Sequence, residues 1–554
     1  FIGDGSLLTG ISGTASSLQS VTDTGNVTSN TIQFTNATTG LVATGNVEAS
    51  KFIGDGTSLT GVAPAEPTPG LAYQQELLDP TPTAGDWFGY SVSVSGDGMY
   101  AIVGSPYDDT TISNQGAVHV FIRSGTSWTL QQKLVAPTPG SSHIFGWSVS
   151  ISDNGLYAIV GVPEDSEGVA HVFIRSGATW THQQELGDPN GVNNDKFGTS
   201  VSISADGTYA IVGAPEDGTG GTQRGAVHAF IRSGTSWTHQ QEMVDSGGNN
   251  NDHFGTSVSI SNDGVYALIG SPDDAVPDYT GASGAGSSHI FIRSGTSWTE
   301  QQRLVDPVAT ANENFGVSVS ISSDGTYALI GAERGVGSGD EYQQGEAHIF
   351  IRSGTSWTHQ QKINRTTGFT ANKDYFGHSV SISNDGTRAL IGANREGSDF
   401  YGAGYVFNRS GTSWTLDTEL TDPNKELYDY VGSSVAISGD GIYIALGAIY
   451  DDGDGTTANS GATHIFAKNP ELNITRITNL ETDVASNASK IAFITSTADA
   501  TTIASNVTVT GTGAITVPSG TTAQRPATGV VGMLRYNSTT GNMEAFTASG
   551  WVNL

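Results

Sequence analysis

The chain has 554 residues, 54 Asp and Glu against 23 Lys and Arg, a formal net charge of −31 and no cysteine. A disulfide framework is excluded, and nucleic acid or an anionic membrane is disfavoured as a partner, because either would meet a repulsive field. Charged residues are sparse at 14% and glycine is abundant, which suits an extracellular shell protein, and no run of eighteen apolar residues predicts a transmembrane helix.

The chain opens at Phe1-Ile2-Gly3-Asp4-Gly5, without Met or a signal peptide, and is expected to be a piece of something longer. Phe1 to Ile11 returns as Phe52 to Val62, and Thr24-Gly25-Asn26-Val27 returns as Thr44-Gly45-Asn46-Val47. Such Gly-, Thr- and Asn-rich β repeats across 1–63 hold too few large apolar residues for a monomeric core. They are expected to gain burial by winding with other chains. Pro64 to Gly70 then reads as a stiff linker.

Seven copies of one pattern follow, opening at Phe88, Phe145, Phe197, Phe254, Phe315, Phe376 and Val431, each with Gly next. Each copy holds an alternating run (Ser-Val-Ser-Ile-Ser), a tight Asp-Gly turn, an apolar run (Tyr-Ala-Ile-Val-Gly), a variable loop, a third run (Ala-Val-His-Ala-Phe-Ile-Arg) and a fourth (Trp-Thr-x-Gln-Gln-x-Leu). Alternation bounded by Gly and Asp turns predicts four antiparallel strands per copy, and a 50–60-residue period of that kind predicts a radial array. Fold class is therefore all-β, a seven-bladed β-propeller over 71–469. The seventh copy stops at Lys468-Asn469-Pro470 without a fourth run, while Tyr73-Gln74-Gln75-Glu76-Leu77 before the first copy matches one. The N-terminal strand is expected to complete the last blade and latch the ring.

The recurring Phe-Gly and Gly-Ala-Pro words resemble the FG-GAP repeat family, known from integrin alpha subunits and from microbial and viral surface proteins. Calcium-binding members of that family carry an Asp-x-Asp-x-Asp-Gly loop. Here the loop has shrunk to Ala205-Asp206-Gly207, Asn262-Asp263-Gly264 or Ser323-Asp324-Gly325, so calcium is not expected at those turns. No cofactor is expected; Asp451, Asp452 and Asp454 are the weak candidate set for Ca²⁺.

Beyond the propeller, Leu472, Ile477, Leu480, Val484, Ile491 and Ile494, with Asn487 at a core position, predict a short coiled coil over 470–497. Residues 498–554 predict a small β-rich tip, with Val517 to Pro526, Gly532 to Asn537 and Met543 to Trp551 similar to the C-terminal segment of phage tail-fibre proteins. The N-terminal repeats are likewise similar to the shaft repeats of phage and algal-virus fibres. This resemblance implies a propeller head on a homotrimeric fibre at a virion surface or otherwise extracellular, binding a host-surface glycan or protein. A microbial adhesin or structural surface protein is the alternative, with a glycan-cleaving sialidase-like propeller as the third reading.

Antiparallel order puts the two hairpin turns of each blade on one face, and the loops joining strands two and three and blade to blade on the other. The first set is nearly uniform and the second varies, which marks the second as the recognition face. Its candidate ligand-binding residues are Asp108, Asp109, Glu164, Asp165, Glu216, Asp217, Asp273, Asp274, Asp278, Tyr279, Glu333, Arg334, Asp340, Glu341, Tyr342, Arg395, Asp399, Tyr401, Asp451, Asp452 and Asp454. Asp86, Asp195, Asp252, Asp374 and Asp429, with Glu313, recur two residues before the Phe-Gly or Val-Gly pair and read as turn caps. His119, His171, His228, His289, His348 and His464 share one third-strand position and read as packing between blades, since equivalent positions in neighbouring blades lie too far apart to share a metal. The hairpin arginines, Arg123, Arg175, Arg232, Arg293, Arg352 and Arg409, read as repeated structure. Ser-Gly-Thr-Ser-Trp is similar to the tail of the sialidase Asp-box but lacks its Asp, and no other catalytic motif stands out, so no enzymatic activity is expected.

Overall fold

The computed structural model describes residues 70–468, except for 220–221, 276–283, 336–343, 365–373, 397–399 and 454–456, together with four short strands between 519 and 553. The repeats at 1–63 and the coiled coil expected over 470–497 lie outside the described residues. The strands Ser519–Gly520, Leu534–Asn537, Asn542–Thr547 and Gly550–Asn553 pair in chain order, the first pair parallel and the others antiparallel.

Each of the seven copies forms a four-stranded antiparallel sheet. Blade 3 shows the plan, with Ser200–Ile203, Tyr209–Ala214, Ala226–Ser233 and Ser236–Met243 paired in that order from the inner strand outward. Alternation makes the inner strand amphipathic, while the apolar second strand is enclosed on both faces. Between them Asp206 accepts the Thr208 N–H at 2.8 Å and Gly207 takes φ +69°, so the Asp-Gly pair sets the turn chemically.

Blade 7 comprises Val431–Ile437, Tyr443–Ala448 and Ala462–Lys468, with Leu71–Leu77 as its outer strand, Leu71 opposite Lys468 and Leu77 opposite Thr463. The expected latch is therefore present. Leu77 is buried in the core shared by blades 7 and 1, whereas Leu71 packs against the core between blades 6 and 7. One strand thus ties down two seams.

The repeated words are seam chemistry. Phe88 and its equivalents are fully buried, and Phe88 meets Phe121 edge to face at 6.1 Å. In every blade an inner-strand Ser donates to the carbonyl of the next blade's Phe-Gly glycine, from Ser91 to Gly146 at 2.8 Å round to Ser434 and Gly89 at 2.7 Å. That approach leaves no room for a side chain on the facing strand. A Cβ on Gly447 would sit 1.9 Å from the Gly89 oxygen, which is why the penultimate residue of the second strand is Gly.

On the outside, Gln184 both accepts from the Trp237 N–H and donates to its carbonyl, each at 2.8 Å, and five other seams repeat this clasp. Arg232 donates to Gly207 O at 2.6 Å and lies 4.3 Å over the ring of Tyr157 in the preceding blade. The seam between blades 6 and 7 departs from the pattern: Thr418 stands at the Gln position, Leu71 at the Trp position and Lys468 at the Arg position. Arg388 replaces the stacking Tyr there and reaches forward to donate to Gly441 O at 2.6 Å, restoring from the other side the turn contact that an Arg at 468 would make.

Around the axis the seven inner turns form a closed ring of backbone hydrogen bonds, running from Gly96 to Asp153 and, at the far end, from Asp440 back to Gly96. The Asp153 carboxylate accepts from Asn262 and, at 2.7 Å, from Asn384. These residues belong to blades 2, 4 and 6, so the bonds cross the axis and stop the channel at this face. Gly96 is small of necessity, because a Cβ there would fall 2.7 Å from the Asp153 carboxyl carbon.

Candidate recognition site

On the opposite face the loops form a crown built from three register positions. The residue before each Phe-Gly or Val-Gly pair takes a left-handed conformation in all seven blades, φ +53° to +61°, although none is glycine. That backbone is costly for large side chains, and it recurs with Trp87, Tyr375 and Tyr430 in place. Beside it stand the residue three after the second-strand glycine (Tyr107, Glu164, Glu216, Asp273, Arg334, Arg395 and Tyr450) and the residue after Phe-Gly (Tyr90, Trp147 and His378 among them).

The crown has two unlike sectors. From blade 6 through 7 and 1 to 2 it is aromatic: Phe400 stacks on Tyr430 at 6.0 Å, Tyr430 meets Tyr450 at 5.1 Å, Tyr450 meets Trp87 at 5.4 Å, and Trp87 continues to Tyr107 at 4.5 Å. Tyr90 carries the chain to Trp147, again at 4.5 Å. The Arg395 guanidinium lies 4.6 Å over Tyr375 and 5.7 Å from Tyr430. Most of these rings are half-exposed, and Tyr428, stacked on Phe400, is exposed. Burial raises the Tyr107 and Tyr450 hydroxyls above the usual phenol range, so they stay protonated and able to donate. On the other side of the ring, from blade 2 through 3, 4 and 5 to 6, ion pairs take over: Lys196 with Glu164 at 2.5 Å, His253 with Asp273 at 2.7 Å, and His378 with Glu333, one residue before Arg334, at 2.6 Å.

The acidic residues expected on this face divide by one position. Glu164, Asp273, Arg334 and Arg395 project into the crown with Asp109, Asp165, Glu216, Tyr401 and Asp452 exposed or half-buried near by. Asp108, Asp217, Asp274 and Asp451, one residue further along, are buried and turn inward toward the third strands; Glu333 is buried as well, beneath His378. These five do not offer free carboxylates at the surface. For the four aspartates the reason is register: the loop turns after the residue that faces the crown and sends the next side chain down the seam. Asp278, Tyr279, Asp340, Glu341, Tyr342, Asp399 and Asp454 lie outside the described residues.

The turn-cap reading is met at Asp86, Asp195, Asp252, Asp429 and Glu313, each of which accepts the backbone N–H three residues before it. The third-strand histidines are more than packing. His119, His228, His289, His348 and His464 each lie within a group with two carboxylates at the seam, wholly buried around His119, His228 and His348. The aromatic sector was not singled out from the sequence. Its signal was present as Trp or Tyr before Phe-Gly or Val-Gly in blades 1, 6 and 7, a position at which left-handed backbone makes a large side chain unexpected.

Seven radial four-stranded blades, closed by a shared strand and presenting loops on one face, define a seven-bladed β-propeller. The FG-GAP repeat model matches residues 72–121, 128–173, 180–230, 237–291, 298–350, 357–407 and 414–466, more than half of the chain, and the protein belongs to the FG-GAP repeat family. Each matched unit begins on the outer strand of one blade and ends on the third strand of the next, so the sequence repeat itself straddles the seams. No curated protein matches the chain significantly.

Proposed function

We propose that the protein is a non-enzymatic attachment protein of a virion surface, whose propeller is a head that binds a host-surface glycan through the aromatic sector of the crown. The carrying observation is the half-buried ring chain from Phe400 to Trp147, with Phe400, Tyr430 and Trp87 held on left-handed backbone, bordered by Arg395 and Glu164. Flat aromatic faces take up the apolar faces of sugar rings, and neighbouring phenols, guanidinium and carboxylate meet the hydroxyls. The fibre-like segments on both sides of the propeller support a homotrimer, in which several heads would add avidity to a weak single site.

The test is glycan-array binding of the full chain against Trp87→Asn. Asn314 occupies the equivalent place in blade 5 at φ +58°, so Asn is a residue this backbone already accepts. The reading expects defined glycans bound by the native chain and lost by the variant. Equal array profiles would refute it.

A further inference from the structure

The seam histidines form a natural substitution series. In blade 1, His119 Nε2 is 3.3 Å from Asp79, which arrives from the preceding blade's outer strand, and Lys133, opposite His119, holds both Asp79 and Asp108 at 3.4 and 2.6 Å. Blade 5 repeats this with His348, Asp306, Glu346 and Lys362. Here Gly335 replaces the loop Asp, and the Glu346 side chain fills the space a Cβ at 335 would need. In blade 4, Arg303 pairs with Asp274 beside His289. Three buried acid pairs thus carry a built-in cation, as burying like charges together requires. Blade 2 solves the problem by deletion: Ala136 stands where the incoming Asp would be, and Asp165 turns out to His143 at 3.3 Å.

Blades 3 and 7 keep the acids and lack the cation, but in blade 7 His464 Nε2 closes on Asp451 in a direct hydrogen bond at 3.1 Å, with Glu76 opposite, whereas blade 3 has no such closure among the described residues. Asp188 and Asp217 lie 3.7 and 3.8 Å from the two nitrogens of His228, all three are buried, and the residue opposite His228 is Glu242. Among the described residues, the ion pairs of Asp188 and Asp217 are with His228 alone. Asp217 Oδ2, His228 Nε2 and Glu242 Oε1 are enclosed without a hydrogen-bond partner. Such atoms are expensive to bury unmet.

We propose that blade 3 binds one divalent metal ion of the Zn²⁺ class through Asp188, Asp217 and His228, stapling the exit of blade 2 to blade 3. The three residues offer donor atoms within 4.8 Å of one another, and rotation of Asp188 from the Nδ1 side of His228 toward Nε2, where Asp217 already lies, brings them to the roughly 3.3 Å spacing that tetrahedral ligands about 2.0 Å from zinc require. An imidazole with two carboxylates suits zinc, whereas calcium needs six to eight oxygens. His239 Nε2 sits 3.3 Å from His228 Nδ1, on the far side of the ring from Asp217, where it can accept the proton that fixes the ligating tautomer. The ion takes the place that the Lys ammonium holds in blades 1 and 5.

The test follows from that equivalence. Chelator-treated full chain is titrated with ZnCl₂ by calorimetry, with bound metal counted by mass spectrometry and Co²⁺ absorption as the ligand-field readout, for the native protein, Glu242→Lys and Asp217→Asn. Glu242→Lys installs the cation of blades 1 and 5; it is expected to fold without metal, to lose one zinc equivalent per chain and to lose the zinc-dependent rise in melting temperature. Asp217→Asn, which keeps the shape, is expected to weaken the same equivalent at least tenfold. Equal zinc stoichiometry in native protein and both variants, or a native chain stabilised by Ca²⁺ but not by Zn²⁺, would overturn the assignment.

Discussion

The two faces of the propeller treat sequence variation in opposite ways. On the turn face the residue before Asp-Gly (or Asn154-Gly155 in blade 2) changes in nearly every blade, yet the backbone ring persists and the two long amides, Asn262 and Asn384, are met by Asp153. On the loop face the variable positions meet one another only in part: charges pair between blades 2 and 6 by way of 3 to 5, while the rings of the aromatic sector stay half-buried and Tyr428 is exposed. Variation alone therefore does not mark a binding surface. What marks it is variation that neighbouring residues leave unsatisfied.

The change with the largest expected effect breaks both faces together. Deleting Leu71–Leu77 from the full chain removes the outer strand of blade 7, uncovers a strand edge and opens two cores, and should cost on the order of 5 kcal/mol or more in chemical denaturation. An unchanged midpoint would mean that the latch carries no load. Asp153→Ala acts on the turn face alone. Leaving two half-buried amides without their acceptor should cost about 1 kcal/mol, with ligand binding retained. Trp87→Asn acts on the loop face alone and should leave stability within about 1 kcal/mol while binding falls at least tenfold.

The smallest effect, a shift in melting temperature of several degrees, concerns pH. Burial raises the turn-cap carboxyls, Asp86 and Asp252 to about 6 and Glu313 and Asp429 to about 7. A folded-state pKa above the unfolded value gives stability that is complete below about pH 4 and is lost as pH rises through 6 to 7. Asp79 runs the other way. Burial would raise it, but pairing with His119, the Thr81 N–H bond and the Lys133 charge together outweigh burial, so its contribution is present above about pH 4 and lost in stronger acid. The melting temperature is thus expected to peak near pH 5 and fall toward pH 8; a monotonic rise to pH 8 would contradict the placement of the caps.

Much of the fold was legible because its signals are local and repeated. The Phe-Gly words, the Asp-Gly turns and the missing fourth run of the seventh copy give blade number, strand order and latch without any long-range information. The separation of the variable loops from the uniform turns followed from antiparallel parity. Within the loops, the sequence could not separate Asp273, exposed, from Asp274, buried, because adjacent loop residues differ only in where the backbone turns after Gly270-Ser271-Pro272. The aromatic sector was hidden for a related reason: Trp147, Trp87, Tyr450 and Phe400 come from four blades, and only ring closure brings 87 beside 450. The acid and histidine groups at the seams likewise join residues such as Asp188 and His228, which a reading confined to one repeat places in separate blades.

The most direct test of the division between the faces is the affinity of three full-length proteins for the same array-identified glycan: native, Trp87→Asn with Tyr430→Asn, and Asp153→Ala. Equal dissociation constants for native and Asp153→Ala, with binding by the crown variant weakened at least tenfold, are predicted. Binding that survives in the crown variant, or that fails equally in Asp153→Ala at matched folding, would contradict the account.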